Sequence, residues 1–351
     1  MLQVSETVSQ APAVQTSLVE VTDLLSSSNK LPCRVFFKNE IEQPSGSFKL
    51  RGIGHLIHQS IRKARNGPNS HKPIHVFASS GGNAGLAAAY SAKFYNVKCT
   101  VVVPTIAMKS VVEKLRQYGA TVLLHGNSIS DADKFARSLM ADAETEFNCI
   151  YCHPFDNPLI WQGHSLLVDE MFQNQLSRED AKKVRGVVCS VGGGGLFNGI
   201  KQGLMRNKSK ADCVLVETAQ APTLSSAVKA GSVVTLNCVR SLATSLACSY
   251  VSGPTLDLFN DQSTNRNHIT AIDDLEAVKG CIAYQKDFGK MVEPACGAAV
   301  SVVYNQLKYL KESVGNLTKD DIVIVVVCGG SCANEAVLDR YKSMLRSEAH
   351  L

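Results

Sequence analysis

The sequence predicts an α/β protein built on parallel sheet, covered on both faces by helices. Two observations carry this. First, short Val/Ile-rich runs are apolar at every position, as in residues 322–327 (Ile-Val-Ile-Val-Val-Val), or at all but one, as in residues 99–103 (Cys-Thr-Val-Val-Val). A strand apolar on both sides belongs inside a sheet with both faces buried. Second, from Lys30 onward such runs repeatedly pass through a glycine-containing turn into a stretch of helical period, which is the signature of alternating β and α units.

Taken in order, residues 1–15 are polar, without period, and expected to fray. Residues 33–40 (Cys-Arg-Val-Phe-Phe-Lys-Asn-Glu) read as a strand, and Pro44, Ser45 and Gly46 as a turn. Leu50, Ile53, Leu56 and Ile57 then recur at helical spacing, with Ser47 as the expected cap and Lys49 in the first turn. Residues 75–79 form a strand that meets Gly81 and Gly82 before an alanine-rich helix over 84–94. The strand 99–103 ends at Pro104, and a helix follows over 109–117. Residues 121–124 and 130–145 make a further strand–helix pair. The strand 186–191 runs into four glycines and a helix from Leu196; residues 214–217 and 322–327 are further buried strands. Residues 229–267 are rich in Ser, Thr and Asn and show little periodicity.

Composition narrows the function classes. At 351 residues, with 45% hydrophobic and 19% charged, the chain is too apolar for disorder. Its formal charge of +5 is modest and no dense Lys/Arg block is interleaved with aromatics, so nucleic acid is not an expected partner. No apolar run reaches the ~18 residues of a membrane span. Twelve scattered cysteines without a signal peptide suggest reduced thiols in the cytoplasm, and the acidic residues before Lys30 argue against a transit peptide.

Four stretches carry chemistry. Lys49 sits between Phe48 and Leu50 at the start of a helix, where the positive end of the helix dipole disfavours an ammonium. Such a lysine gives up its proton more readily and becomes a nucleophile, although most lysines are solvated surface groups. Gly192, Gly193, Gly194 and Gly195 stand between a buried strand and the helix that begins at Leu196. A tight turn needs one or two glycines; four in a row bare backbone N–H groups toward an anion at a helix N-terminus. A dinucleotide loop is the rival, with Phe197 at its third glycine position and Glu217 as its acid. Residues 79–85 (Ser-Ser-Gly-Gly-Asn-Ala-Gly) also lie at a strand-to-helix turn, and Cys328-Gly-Gly-Ser331 ends the last Val-rich strand. Cys149-Ile-Tyr-Cys-His153 matches a haem-attachment pattern but reads better as a strand running into Pro154.

Pro44-Ser-Gly-Ser-Phe-Lys-Leu-Arg-Gly52 resembles the cofactor-lysine motif of fold type II pyridoxal-phosphate enzymes, in the form used by catabolic L-serine/L-threonine dehydratases. The resemblance covers about residues 30–345, with the four stretches in family order. It implies two open, twisted, mostly parallel sheets with helices on both faces. A small lobe of residues 55–155 would be inserted into a larger lobe of 1–54 and 156–351, with the cofactor in the crevice between them. It further implies that Lys49 is the catalytic residue that carries pyridoxal 5'-phosphate, and that Phe48 packs on one face of its ring. Asn83 would bond the cofactor's phenolic oxygen. Gly192 to Gly195, with Leu196, would cradle the phosphate, and Ser79, Ser80, Gly81, Gly82 and Asn83 would receive the substrate. A neutral Cys328 would stand at the ring nitrogen.

Glu217, Ala221 and Leu246 correspond to positions that hold a monovalent cation such as K+. Here the chain departs from the pattern. Ser245 stands where the family has Ala against the ring, and Ala247 where it has Gly. Glu293 and Cys296 lie in the family's Glu-Pro-Ala-Cys-Gly-Ala segment and are taken as structural. The implied activity is dehydration and deamination of L-serine to pyruvate, and of L-threonine to 2-oxobutanoate, by a homodimer. Three features select this branch: the chain stops soon after Arg340, Gly81 replaces a racemase serine, and Ala84 follows Asn83. The alternatives are a non-catalytic cofactor-binding relative and a serine-racemase-like activity.

Overall fold

The computed structural model describes residues 11–26, 30–331 and 333–348. The expectation of fraying covers residues 1–10, which lie outside the described residues, and residues 11–15, which do not. The backbone of Val14 is held in both directions: its N–H donates to Gln43 Oε1 at 3.1 Å and its carbonyl accepts from Gln43 Nε2 at 2.8 Å.

Ten strands are present among the described residues: β1 (Leu18–Glu20), β2 (Arg34–Lys38), β3 (Ile74–Ala78), β4 (Lys98–Val103), β5 (Thr121–Leu124), β6 (Asn148–Cys152), β7 (Val184–Ser190), β8 (Asp212–Thr218), β9 (Asn267–Ile272) and β10 (Ile322–Val326). They fall into two compact units.

The first unit contains residues 43–164 and carries a four-stranded, wholly parallel sheet in the order β5-β4-β3-β6. β3 is buried at every position, and its one polar residue, His75, is hydrogen-bonded to Thr100 Oγ1 at 2.9 Å. The helices Lys49–Arg65 and Asn83–Phe94 pack together in this unit. The small lobe was expected to begin at residue 55, but the Lys49–Arg65 helix runs unbroken through that point, so Lys49 belongs to this unit. At its other end the unit runs past the expected 155 to His164.

The second unit contains residues 15–42 and 165–351. Its six-stranded sheet has the order β1-β2-β10-β7-β8-β9, parallel except for the edge strand β1. β1 was not anticipated, because three half-exposed residues leave no periodic signal. All five residues of β10 are fully buried. The helices Asp274–Phe288 and Pro294–Tyr304 pack against each other through two glycines. A Cβ at Gly280 would lie 2.4 Å from the Gly297 carbonyl oxygen, and one at Gly297 would lie 2.2 Å from that of Ala277. Within the unreadable stretch 229–267, the chain forms a short turn over Thr244–Leu246 and a helix over Gly253–Asn260. No helix among the described residues is long and apolar enough to cross a membrane.

Candidate active site

In the first unit, Lys49 is the first residue of its helix, as the motif predicts. The cap differs from expectation. Phe48, not Ser47, occupies the N-cap position with helical backbone angles, and no side chain caps the helix. The Ser47 hydroxyl is instead buried with no hydrogen-bond partner. Gly46, at φ +85°, turns the chain into this helix. Lys49 Nζ donates to the Pro154 carbonyl at 2.5 Å and lies 5.2 Å from the Phe48 ring centre.

His164 is a neighbour that sequence reasoning missed. Its ring lies 4.9 Å from that of Phe48 and it is fully buried, with neither ring nitrogen hydrogen-bonded. Burial, reinforced by the nearby charges of Lys49 and Arg51, holds its pKa well below the ordinary imidazole range. It is therefore a neutral wedge. The only trace in the sequence is the helical spacing of Trp161 and His164.

The 79–83 stretch leaves the carboxyl end of β3 and enters the Asn83–Phe94 helix. Ser79 and Asn83 are buried; Ser80, Gly81 and Gly82 are partly open. The Gly82 N–H donates to Ser80 Oγ at 3.3 Å. A Cβ on Gly81 would touch Val103 and Ala107 at 3.4 Å, an ordinary contact, so alanine would also fit there. Cys149 and Cys152 lie on β6, and His153 Nδ1 accepts the N–H groups of Phe155 and Asp156. That bonding ties the ring to its own turn, as the strand interpretation of the haem-like pattern requires.

In the second unit, β7 delivers the tetraglycine and β10, its neighbour in the sheet, delivers Cys328. Ligands of open α/β sheets bind at these carboxyl ends. Gly194 is the N-cap of the Gly195–Arg206 helix with φ +95°, and a Cβ there would lie 2.0 Å from Thr255 Oγ1. A Cβ on Gly192 would press on Leu246, 3.0 Å from its Cα. Only glycine fits this cradle, and the first N–H groups of any helix have no partner within the helix. Leu196 is buried in that first turn. The Cys328 thiol is buried, 3.7 Å from Ser190 Oγ.

Ser245 Oγ donates to Glu293 Oε2 at 2.6 Å, so the hydroxyl that replaces the family's methyl is engaged by a buried carboxylate. Glu217 lies on β8, fully buried, and accepts the N–H groups of Leu224 and Ser225. Leu246 ends the 244–246 turn, its carbonyl accepting from Cys248, and Ala221 is buried just beyond β8.

Burial raises the Glu217 pKa from 4.5 to about 7, against hydrogen bonds that lower it. Between those values the folded state keeps a proton that the unfolded chain has released. Stability should therefore fall as the pH rises through this window, by on the order of a few kcal/mol. Glu217→Gln should flatten the decline, as read from urea unfolding at about pH 5 and about pH 8.

The glycine cradle at a helix N-terminus and the lysine at the head of its own helix fit a phosphate-bearing aldehyde cofactor. Comparison with known proteins gives the class: the profile of the family described as "Pyridoxal-phosphate dependent enzyme" matches residues 13–329, and the chain belongs to that family. Within it, the chain is similar to an L-serine dehydratase of Saccharomyces cerevisiae (strain RM11-1a), 41% identical over 318 residues that cover 88% of this chain and 92% of the relative. It is also similar to the L-serine dehydratase/L-threonine deaminase of Mus musculus, 36% identical over 338 residues, covering 95% and 98%. A crystal structure of a fungal L-serine ammonia-lyase from Rhizomucor miehei superposes with a TM-score of 0.84 at 31% identity, covering 95% of this chain and 99% of that one.

Proposed function

We infer that the chain is an ammonia-lyase that uses pyridoxal phosphate to eliminate the β-hydroxyl of L-serine, giving pyruvate and ammonia, and of L-threonine, giving 2-oxobutanoate. The observation that carries this is the tetraglycine N-cap that only bare backbone fills, an anion cradle in its own unit; Lys49, in the other unit, stands first in its helix. The names of the relatives supply the substrate class. When bound, the cofactor supplies an electron sink that makes the substrate's Cα proton removable.

The chain's own residues would do the rest. Lys49 would hold the cofactor covalently, and its freed amine would take the Cα proton. Phe48, braced by His164, and Ser245 would each pack against the ring, and Asn83 would bond its phenolic oxygen. The N–H groups of Gly192 to Gly195 and Leu196 would bind the phosphate. Residues 79–82 would receive the substrate carboxylate. A monovalent cation such as K+ is proposed at Glu217, Ala221 and Leu246, where it would draw the raised Glu217 pKa back down, so that the pH-dependent decline described above belongs to the cation-free protein. A homodimer and a cytoplasmic setting complete the proposal; the eleven described cysteines are free thiols.

The decisive experiment is purification followed by visible absorption spectroscopy. A cofactor band that shifts on adding L-serine, with pyruvate formed, is expected; neither band nor pyruvate would defeat the proposal. A second test concerns the ring nitrogen. The Cys328 thiol, 3.7 Å from Ser190 Oγ, would stand at that nitrogen. Cys328→Ser should keep dehydration near the parental rate. Cys328→Asp, which brings a negative charge, should slow it by about tenfold or more. Equal, near-parental rates in both would reduce Cys328 to a core cysteine.

A further inference from the structure

The turn after β3 is braced by a polar cluster in which Asp133, Arg137 and Tyr151 have no part in the roles above. Ser79, buried at the end of β3, donates from Oγ to Asp133 Oδ1 at 3.0 Å and lies 2.8 Å from the Tyr151 hydroxyl. The Tyr151 hydroxyl also donates to Asp133 Oδ1. Arg137 Nε donates to Asp133 Oδ2 at 2.8 Å, and its guanidinium lies 4.0 Å over the Tyr151 ring. The cluster joins three elements. Tyr151 is on β6, paired in register with Phe77 of β3, while Asp133 and Arg137 lie one turn apart on the Ile129–Ala143 helix.

Each hydroxyl has a single proton. The Tyr151 proton goes to Asp133, so the Ser79 proton goes either to Asp133 or to the Tyr151 oxygen. Both choices commit it within the cluster, so it is not offered to an incoming anion. Burial raises the Asp133 pKa, but the bonds from Tyr151, Arg137 and Ser79 outweigh it and leave the group below the ordinary carboxylate range. Asp133 is thus a fixed acceptor, and Arg137 neutralises the charge it would otherwise present beside an anion site.

We propose that Asp133 is a positioning residue for the substrate-carboxylate turn. Through Ser79 and Tyr151 it fixes residues 79–82 so that backbone N–H groups, not the Ser79 hydroxyl, meet the amino acid's carboxylate. This rests on the assignment of 79–82 made under Proposed function.

The test compares Asp133→Ala, Asp133→Asn, Tyr151→Phe and Arg137→Gln in the cofactor-loaded protein. Removing the acceptor should raise KM for L-serine about five- to tenfold, with kcat within about twofold and cofactor affinity unchanged. Asp133→Asn, which keeps one acceptor oxygen, should recover part of the loss. Tyr151→Phe should weaken binding less than Asp133→Ala, and Arg137→Gln should raise KM by exposing the charge. Titration of the cofactor band with L-serine should give the same order. A fall in Tm with KM at the parental value in Asp133→Asn and Tyr151→Phe would overturn the proposal. So would weakened cofactor binding in step with KM. Should the parental protein show neither a cofactor band nor pyruvate, the functional assignment fails first; a working parent with indifferent variants fails this inference alone.

Discussion

Lys49→Ala is expected to abolish turnover, with a loss of at least about 10³-fold, because it removes both the covalent anchor and the base. The substitution should leave the fold intact. Lys49 begins its helix, where alanine is a good helix former, and its Nζ donates to the Pro154 carbonyl oxygen. Borohydride reduction of the parent should trap the cofactor on the peptide containing Lys49, and the variant should yield no such adduct. The other deeply placed lysines are engaged elsewhere. Lys38 Nζ donates to Glu170, Gln175 and the Thr16 carbonyl; Lys201 Nζ donates to the carbonyls of Asp261 and Asn265 and to Asn267. An adduct mapped to any lysine but Lys49 would overturn the assignment at its centre.

Gly194→Asp should lower affinity for pyridoxal phosphate by about 100-fold or more, close to 3 kcal/mol. Two effects act together. At φ +95° a side chain costs roughly 1–2 kcal/mol, and the new Cβ would drive into Thr255, whose hydroxyl bonds Ser252 at 2.7 Å. The carboxylate would also compete for the N–H groups meant for phosphate. Gly194→Ala separates the two, since it keeps the steric fault without the charge and should lose less. Circular dichroism of both variants checks that the fold survives. Unchanged cofactor affinity would sink the phosphate assignment, and tight NAD binding by the parent would restore the dinucleotide alternative.

What the sequence made legible follows from what kind of signal each element leaves. The helices Lys109–Gln117 and the strand Thr121–Leu124 have the bounds that period and apolar runs predict. The tetraglycine and Lys49 were visible because their chemistry is local, within a few residues of chain. β1 and β9 were not, since a half-exposed strand carries neither a continuous apolar run nor a turn signal. Residue type marks Ser47 as a cap but does not report where its hydroxyl points, and the cap position falls on Phe48. His164 and the Asp133 cluster were out of reach for a different reason. His164 meets Phe48 across more than a hundred positions, and Asp133 meets Ser79 across 54, through folding alone.

The contact between Gly280 and Gly297 has a consequence for mutational surveys. Every missense change at either codon adds at least a Cβ, and here a Cβ would meet the carbonyl of the opposite helix. A library scored for loss of activity would therefore mark these two glycines as harshly as Lys49, though neither belongs to the candidate site. Intolerance to substitution in this chain reports close backbone approach as well as chemistry, and only a paired measurement of protein abundance would tell the two apart.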